Sequence, residues 1–349
     1  MKQQIILSDT IVNDLAKLLR TLSYDGLYLL LDTNTEAYCL PIVESMPEIA
    51  WAKKISIPSG DENKKIENVE KVWQFLSDNE ASRKSIMIIL GGGMLTDLGG
   101  FAAATFKRGM RFINIPTTLL GAVDAAVGGK TGFNFSGLKN EIGVFASAIA
   151  VLIDSNFFRS LDYRNILSGY SEMIKHALLY SSEDLVRVLS FDVEEIDYTL
   201  LNELLYASIK IKERIVEEDP EEQGLRKALN LGHTFGHAFE SLSYEKNQPM
   251  LHGYAVAWGL IAELYLSFMK LDFNKDTFSK VFRFIKEHYG SFPFACGDYE
   301  SLYELMKHDK KNESGIINFT LLRGIGEIEL DQTATYAEIE EVLDFCASL

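Results

Sequence analysis

Cysteine is scarce in this chain, and the positions of the few cysteines exclude two classes of site. The 349 residues contain three, Cys39, Cys296 and Cys346, which are far apart and form no Cys-x-x-Cys pair. This distribution predicts neither a disulfide framework nor a thiolate metal site. It is typical of proteins that fold in a reducing compartment.

Basic residues are in deficit as well. The chain has 34 lysines and arginines against 50 aspartates and glutamates, and its formal net charge is -16. Nucleic acid and anionic membrane surfaces repel such a chain, so neither is expected as a partner. A small anionic substrate is still compatible, because a local cluster of lysine and arginine can bind one inside an acidic protein.

Long uninterrupted apolar runs are also missing. The longest, residues 253–269, contains Glu263 and is shorter than a membrane span, so we expect a buried helix there. No apolar signal segment follows Met1, and we therefore expect a cytoplasmic protein. The content of 47% hydrophobic and 24% charged residues is that of a globular protein, and the length favours two domains.

The order of apolar patterns predicts an α/β domain followed by a mainly α-helical domain. Residues 1–158 alternate strand-like and helical patterns, which predicts a Rossmann-like, mostly parallel sheet. The strand-like runs are residues 26–31, 54–57, 85–90, 112–115 and 150–153. Residues 159–349 have helical periodicity over 170–179, 200–216, 253–269 and 278–288, with one strand pattern at 316–322. We expect a nucleotide in the first domain, and a metal and the substrate in the second.

A glycine-rich turn follows the apolar run at 85–90. Residues 91–97 open a helical stretch, and glycines at a helix start let backbone N–H groups bind phosphate. The usual Gly-x-Gly-x-x-Gly fingerprint fails because Thr96 replaces its third glycine, so tight strand–helix packing without a ligand is the alternative. Asp32, at the end of the first strand, and the polar turn 59–64 favour a dinucleotide.

Three of the six histidines lie close together in the sequence. His233 and His237 are four residues apart and share one face of a helix, and His252 follows soon after. Glu172 is an acceptable third ligand, which would give the mixed nitrogen and oxygen set of catalytic zinc sites. Packed, hydrogen-bonded histidines are the alternative, because Thr234 stands where a zinc protease has its glutamate.

Several lysines follow glycine-rich turns, where they can project into an anion site. Lys130 and Lys139 have this setting, and Lys310 and Lys311 form a second basic pair late in the chain. For each lysine alone, a solvated surface position is the alternative reading.

Together these motifs resemble the 3-dehydroquinate synthases of the shikimate pathway over nearly the whole chain. The motifs that carry the resemblance follow one another along the chain in the order of the family, at residues 91–109, 116–120, 127–132, 137–140, 172–175, 229–237, 252–253 and 308–311. It implies a phosphorus–oxygen lyase that converts 3-deoxy-D-arabino-heptulosonate 7-phosphate to 3-dehydroquinate and phosphate, for aromatic amino acid biosynthesis. It also implies catalytic NAD, a divalent metal (Zn²⁺ or Co²⁺) and a homodimer.

The resemblance also assigns the site residues, motif by motif. The metal ligands would be Glu172, His233 and His252. The NAD contacts would be Asp32, Asn34, Asp61, Lys64, Gly93, Met94, Leu95, Thr96, Asp97, Thr117, Thr118, Lys130, Lys139, Phe157 and Ser160. The substrate would meet Asp124, Lys130, Asn140, Lys175, Lys212, Arg226, Asn230, His237 and Lys310, with Arg108 contributed across the dimer interface.

The implied reaction oxidises one substrate carbinol, eliminates phosphate, returns the hydride and closes the ring by an aldol step. We expect the departing phosphate to take the proton itself, and His237 to relay protons to solvent. The chain departs from the family pattern at Tyr254, which stands where a glutamate usually follows His-Gly. Ligand orientation or metal preference can therefore differ.

Three other classes of protein are alternatives. A 2-deoxy-scyllo-inosose or valiolone-type synthase would share the scaffold, although Asp124, Lys212 and Arg226 favour a dehydroquinate synthase. A metal- and NAD-dependent polyol dehydrogenase would release NADH stoichiometrically, whereas a synthase recycles it. A non-catalytic NAD-binding module would need no metal ligands.

Overall fold

The computed structural model describes residues 3–136, 138–291, 294–307 and 316–348. Its internal contacts divide the chain into two units, Met1–Asp162 and Tyr163–Leu349. The division comes just after the 3₁₀ turn Ser155–Ser160, within which the boundary expected at residue 158 lies.

The first unit is built on a six-stranded sheet in which every pair is parallel. The strands of this unit are β1 (Gln4–Leu7), β2 (Leu27–Asp32), β3 (Lys53–Ile57), β4 (Ile86–Gly91), β5 (Arg111–Pro116), β6 (Lys130–Phe135), β7 (Leu138–Phe145) and β8 (Ala150–Ile153). The sheet order is β1-β8-β5-β4-β2-β3, and β6 and β7 form a separate antiparallel hairpin. The Rossmann-like, mostly parallel sheet predicted for this half is confirmed.

Helices of the first unit connect successive strands of the sheet. They are α1 (Ile11–Thr21), α2 (Thr33–Tyr38), α3 (Leu40–Val43), α4 (Pro47–Ala50), α5 (Ile66–Asp78) and α6 (Gly93–Thr105). Leu95, Leu98 and Phe101 of α6 join Val69 and Val72 of α5 in a core against one face of the sheet. Strand β4 is buried along its whole length, which explains why its sequence is continuously apolar.

The second unit is mainly helical, as the periodicity predicts. Its elements are α7 (Tyr163–Leu178), α8 (Ser182–Leu189), α9 (Tyr198–Glu218), α10 (His233–Glu245), α11 (His252–Leu271), α12 (Lys275–Tyr289), α13 (Tyr299–Lys307), β9 (Asn318–Gly324), β10 (Glu327–Thr333) and α14 (Tyr336–Ala347). Strands β9 and β10 form an antiparallel pair. Within the described residues, only α11 is long and apolar enough to span a membrane, and 67% of that window is buried, which is typical of a core helix.

Three features differ from the sequence-based expectations. Strands β1 and β10 and the β6–β7 hairpin were not predicted, because they are short or carry little apolar alternation. Leu225–Asn230, just before the histidine helix, is a 3₁₀ turn. Gly232, with a φ of 80°, separates this turn from α10, since a left-handed residue cannot continue a right-handed helix.

Two glycines of α11 allow close helix crossings. A Cβ on Gly253 would lie 1.8 Å from the carbonyl oxygen of Ser168 in α7. A Cβ on Gly259 would lie 1.9 Å from the carbonyl oxygen of Gly232, at the start of α10. Because side chains would not fit at either crossing, α11 packs directly against the backbone of both neighbours.

We predict that Gly259→Ala lowers the free energy of unfolding by at least about 2 kcal/mol, because the added methyl overlaps backbone atoms that cannot rotate away. Gly297→Ala is the matched control: its Cβ meets no described atom within 4 Å, and its effect should stay within about 0.5 kcal/mol. Urea unfolding of both variants measures the difference. Equal stabilities would contradict the close crossing.

Candidate functional site

Apart from Lys130 and Lys139, which lie on the β6–β7 hairpin, the predicted nucleotide residues of the first unit lie at or after the carboxyl ends of five neighbouring strands. The chain order reverses between β2 and β4, and ligands of open α/β sheets bind beside such a reversal. Asp32 and Asn34 lie at the end of β2, Asp61 and Lys64 after β3, Gly93, Met94, Leu95, Thr96 and Asp97 after β4, Thr117 and Thr118 after β5, and Phe157 and Ser160 after β8.

The glycine turn places the start of α6 at this edge. Gly92 precedes the helix and provides no side-chain cap for its first N–H groups. A Cβ on Gly92 would come within 3.0 Å of Thr118, so the Thr118 side chain packs tightly against the turn. The side chains of Leu95 and Thr96 are buried, and only their backbone is suited to contact a ligand.

A buried lysine joins three segments of this edge. Lys64 donates hydrogen bonds to Oδ2 of Asp97 at 2.5 Å and to Oδ1 of Asn140. Lys139 forms an ion pair with Asp61 at 3.1 Å. These contacts tie the turn after β3 to α6 and to the β6–β7 hairpin, so the predicted residues hold one another in place.

Asp32 has a structural function in addition to its predicted one. Its Oδ1 accepts hydrogen bonds from the backbone N–H groups of Asn34, at 2.9 Å, and Thr35, at 2.8 Å. The carboxylate therefore caps α2. Its contact with an adenosine ribose stays a prediction.

Three predicted metal ligands of the second unit converge. Glu172 lies on α7, His233 begins α10 and His252 begins α11, and their ligand atoms all lie within 4.8 Å of one another. Oε1 of Glu172 is 3.5 Å from Nε2 of His233 and 3.8 Å from Nε2 of His252. Metal–ligand bonds of about 2.1 Å place tetrahedral ligand atoms about 3.4 Å apart, and both of these distances are close to that value.

The buried carboxylate of Glu172 provides a test of whether a cation fits. Its side chain is 0% exposed, and Oε2 forms an ion pair with Nζ of Lys175. Oε1 has no hydrogen-bond partner among the described residues. An unsatisfied buried carboxylate oxygen is costly, and a divalent cation between it and the two imidazoles would satisfy it. The residues fit a metal ion.

The orientation of both imidazoles agrees with this reading. Nδ1 of His233 is 3.1 Å from the carbonyl oxygen of Leu231, which only accepts, so this nitrogen carries the proton and Nε2 carries the lone pair. Nδ1 of His252 is 3.2 Å from Oε2 of Glu240. Both rings thus turn Nε2 toward Glu172, as metal-binding histidines do.

The predicted substrate residues of the second unit have varied settings. The half-buried His237 has its ring centroid 5.3 Å from that of His233 and 6.0 Å from that of His252. Arg226 is buried and donates from Nη1 to the carbonyl oxygen of Pro220 at 2.6 Å. Asn230 donates to Oε1 of Glu222 at 3.2 Å, and Lys212 is buried on α9, which packs against the turn that carries Arg226 and Asn230.

The remaining predicted substrate residues belong to the first unit or are not described. Asp124 lies in the π-helical turn Gly121–Ala125, Lys130 is the exposed first residue of β6, and Asn140 lies on β7. Arg108 is exposed in a turn where its φ is 65°. Lys310 lies outside the described residues.

Models of one protein family match both halves of the chain. The model for the N-terminal part of 3-dehydroquinate synthase matches residues 54–168, and the model for its C-terminal part matches residues 169–312. The chain belongs to the 3-dehydroquinate synthase family. A family member from Parabacteroides distasonis, a 3-dehydroquinate synthase, is 53% identical over 344 residues, which is 99% of this chain and 98% of that protein.

Solved structures show the same fold at lower identity. A 2-epi-5-epi-valiolone synthase from Streptomyces hygroscopicus subsp. jinggangensis, with NAD⁺ and Zn²⁺ bound, has a TM-score of 0.88 at 23% identity and covers 100% of this chain and 97% of its own. A 2-deoxy-scyllo-inosose synthase complexed with carbaglucose-6-phosphate, NAD⁺ and Co²⁺ has a TM-score of 0.86 at 21% identity, with 97% and 95% covered. The chain therefore has the same fold as these two synthases.

Tyr254, the departure from the family pattern, contacts aromatic and cationic neighbours. Its ring centroid is 5.0 Å from that of Tyr289, and the guanidinium of Arg164 lies 5.5 Å from its centre. The carboxylate beside His252 is instead Glu240, on α10.

Sequence reasoning missed three residues that position the site. Glu240 contacts His252, and its signal was its place on the same face of α10 as His233 and His237. Glu263 accepts from the N–H groups of Gly232, at 2.6 Å, and Thr234, at 2.9 Å, so it caps α10. Its signal was an acidic residue inside an apolar helix, because a buried carboxylate needs hydrogen-bond donors.

The third missed residue is Asn134 of β6. Its backbone N–H donates to the carbonyl oxygen of Lys64 at 2.7 Å, and its Oδ1 accepts from the N–H of Asn140 at 2.9 Å. No pattern in the sequence marks it, because the contact depends on a hairpin that was not predicted.

We predict that His233→Ala reduces bound zinc from one equivalent to near none after dialysis, because it removes a ligand of the cluster. His237→Ala is the matched control on the same helix and should keep its zinc. Metal analysis of the purified proteins measures both. Loss of zinc in the His237 variant would contradict this division between ligand and neighbour.

Proposed function

We propose that this chain converts 3-deoxy-D-arabino-heptulosonate 7-phosphate to 3-dehydroquinate and phosphate in the shikimate pathway. Membership of the family and the relative that aligns over nearly its whole length support this activity. The single observation that carries the proposal is the buried Glu172 oxygen that faces two imidazoles. That arrangement suits a cation that binds a substrate hydroxyl, and it has no purpose in a non-catalytic nucleotide-binding module.

The proposal includes NAD and one divalent metal ion, Zn²⁺ or Co²⁺. When bound, NAD⁺ accepts and returns a hydride at the substrate carbinol, and the metal ion polarises that carbinol. Glu172, His233 and His252 would hold the metal ion. The residues at the strand ends of the first unit would hold NAD, with the N–H groups of the α6 start on its pyrophosphate.

The protein's own residues have three tasks in this scheme. Lys175 forms an ion pair with the buried Glu172 and so offsets the charge of that carboxylate. Lys212, Arg226, Asn230 and Lys130 bind the anionic substrate through charge-assisted hydrogen bonds, and the departing phosphate takes the proton of the elimination. His237, half-buried beside both metal-binding imidazoles, relays a proton to solvent.

The activity test follows two products and the cofactor. Purified protein with Zn²⁺, catalytic NAD⁺ and the heptulosonate phosphate should release one phosphate per 3-dehydroquinate formed. The absorbance of NADH should not rise during the reaction, because the cofactor is recycled. Stoichiometric NADH would indicate a polyol dehydrogenase. Turnover of glucose 6-phosphate or sedoheptulose 7-phosphate in preference to the heptulosonate would indicate another sugar-phosphate cyclase.

We also propose that the protein is a cytoplasmic homodimer in which Arg108 completes the site of the partner subunit. Its three cysteines are free, which suits a reducing compartment. Lys107 and Arg108 have φ values of 48° and 65°, and Gly109 follows with 120°. Such a backbone is costly for residues with side chains, and strain of this kind is often retained for a functional contact. Arg108 is exposed, so its guanidinium is accessible to a partner subunit.

We predict complementation between two inactive variants. In a dimer formed from Arg108→Ala and His237→Ala chains, one of the two sites receives intact residues from both subunits. An equal mixture that exchanges subunits should recover roughly a quarter of wild-type activity, because about half of the dimers are mixed. Co-expression with two affinity tags, followed by the phosphate-release assay, measures it. No recovery in isolated mixed dimers would show that Arg108 acts within its own chain.

A further inference from the structure

Glu240 is a buried carboxylate that touches the imidazole of His252. Its side chain is 3% exposed, and Oε2 lies 3.2 Å from Nδ1 of His252. It lies on α10, which also carries His233. One helix therefore provides a proposed metal ligand and the contact that orients another ligand.

The two proposed imidazole ligands are held in different ways. Nδ1 of His233 faces the backbone carbonyl of Leu231, a contact that any residue at position 231 would provide. Nδ1 of His252 faces a side chain, so its orientation depends on the identity of residue 240. His252 is also more exposed than His233, at 28% against 11% for the side chains, and has more room to turn.

The start of α11 is fixed by two backbone hydrogen bonds. The N–H of Gly253 donates to Oγ of Ser168 at 3.1 Å, and the N–H of Met250 donates to Oγ of Ser243 at 3.0 Å. These bonds locate the Cα of His252, but χ1 and χ2 of its side chain are set by what the ring touches. Glu240 contacts this ring at Nδ1.

We propose that Glu240 is a positioning residue for the metal centre: it fixes the ring and the tautomer of His252 so that Nε2 points at Oε1 of Glu172. The inference rests on the metal site of the proposed function. A carboxylate acceptor at Nδ1 holds the ring in the orientation that leaves Nε2 facing Glu172.

Charge balance supports the same assignment. The charge of Glu172 is shared with the buried Lys175, so the ligand set alone leaves much of a divalent ion's charge uncompensated. Glu240 adds a second buried acidic side chain one imidazole away from the proposed ion. Glutamine at this position would keep a hydrogen-bond acceptor and lose the charge, which separates the two contributions.

The test measures metal binding directly, with Glu240→Gln and Glu240→Ala compared with wild type. Competition against a chromophoric chelator gives the Zn²⁺ affinity, and the visible absorption of the Co²⁺-loaded proteins reports the geometry of the ion. We expect Glu240→Ala to weaken Zn²⁺ binding by about 10- to 100-fold and to change the Co²⁺ spectrum. Glu240→Gln should fall between Glu240→Ala and wild type.

Glu245→Gln is the matched control, because it makes the same change in charge at an exposed position of the same helix. It should bind both ions as the wild type does. Thermal unfolding of the metal-free proteins checks the fold; if Glu240→Ala is unfolded, Glu240→Gln decides alone. Wild-type affinity and spectrum in the folded Glu240 variants would overturn this inference. A wild-type chain that binds no Zn²⁺ would contradict the proposed function itself and, with it, the role inferred for Glu240.

Discussion

An unsatisfied carboxylate oxygen in the interior is the constraint on which the second unit depends. Oε1 of Glu172 is fully buried and has no hydrogen-bond donor among the described residues, while two imidazole nitrogens face it. Lys175 pairs with the other oxygen of this carboxylate, but the desolvation of Oε1 itself is not offset by a donor among the described residues. The arrangement is understandable if a cation completes it, and the ligand types are those that catalytic zinc sites use.

The packing of three helices gives this cluster its dimensions. Gly253 lets α11 approach the backbone of α7, and Gly259 lets it approach the start of α10. Glu263, on α11, caps the N-terminus of α10 and so fixes the position of His233. Each ligand stands at or near a point where two helices touch, so changes in packing are expected to alter the metal site before they alter the fold.

Much of this organisation could be predicted from the sequence, for identifiable reasons. The buried strand β4 and the glycines after it are local patterns, and the pairing of His233 with His237 on one helix face depends on helical spacing alone. The elements that were missed depend on partners that are distant in the sequence. Strand β10 has few apolar residues and forms by pairing with β9, and the contact between Glu240 and His252 joins two helices. Spacing alone cannot show where the histidine helix begins, because a glycine such as Gly232 can occur inside a helix or at its start. Family motifs supplied the ligand set that the residues alone left open.

The central claim is that one cation is bound by Glu172, His233 and His252 through the atoms that now face one another. Anomalous X-ray diffraction at the zinc edge, from crystals of the zinc-loaded protein, tests it most directly. The account predicts a single strong peak about 2.0–2.2 Å from Oε1 of Glu172 and from Nε2 of both histidines. A peak bound through Nδ1 of either histidine, or ordered zinc only elsewhere in the protein, would contradict it.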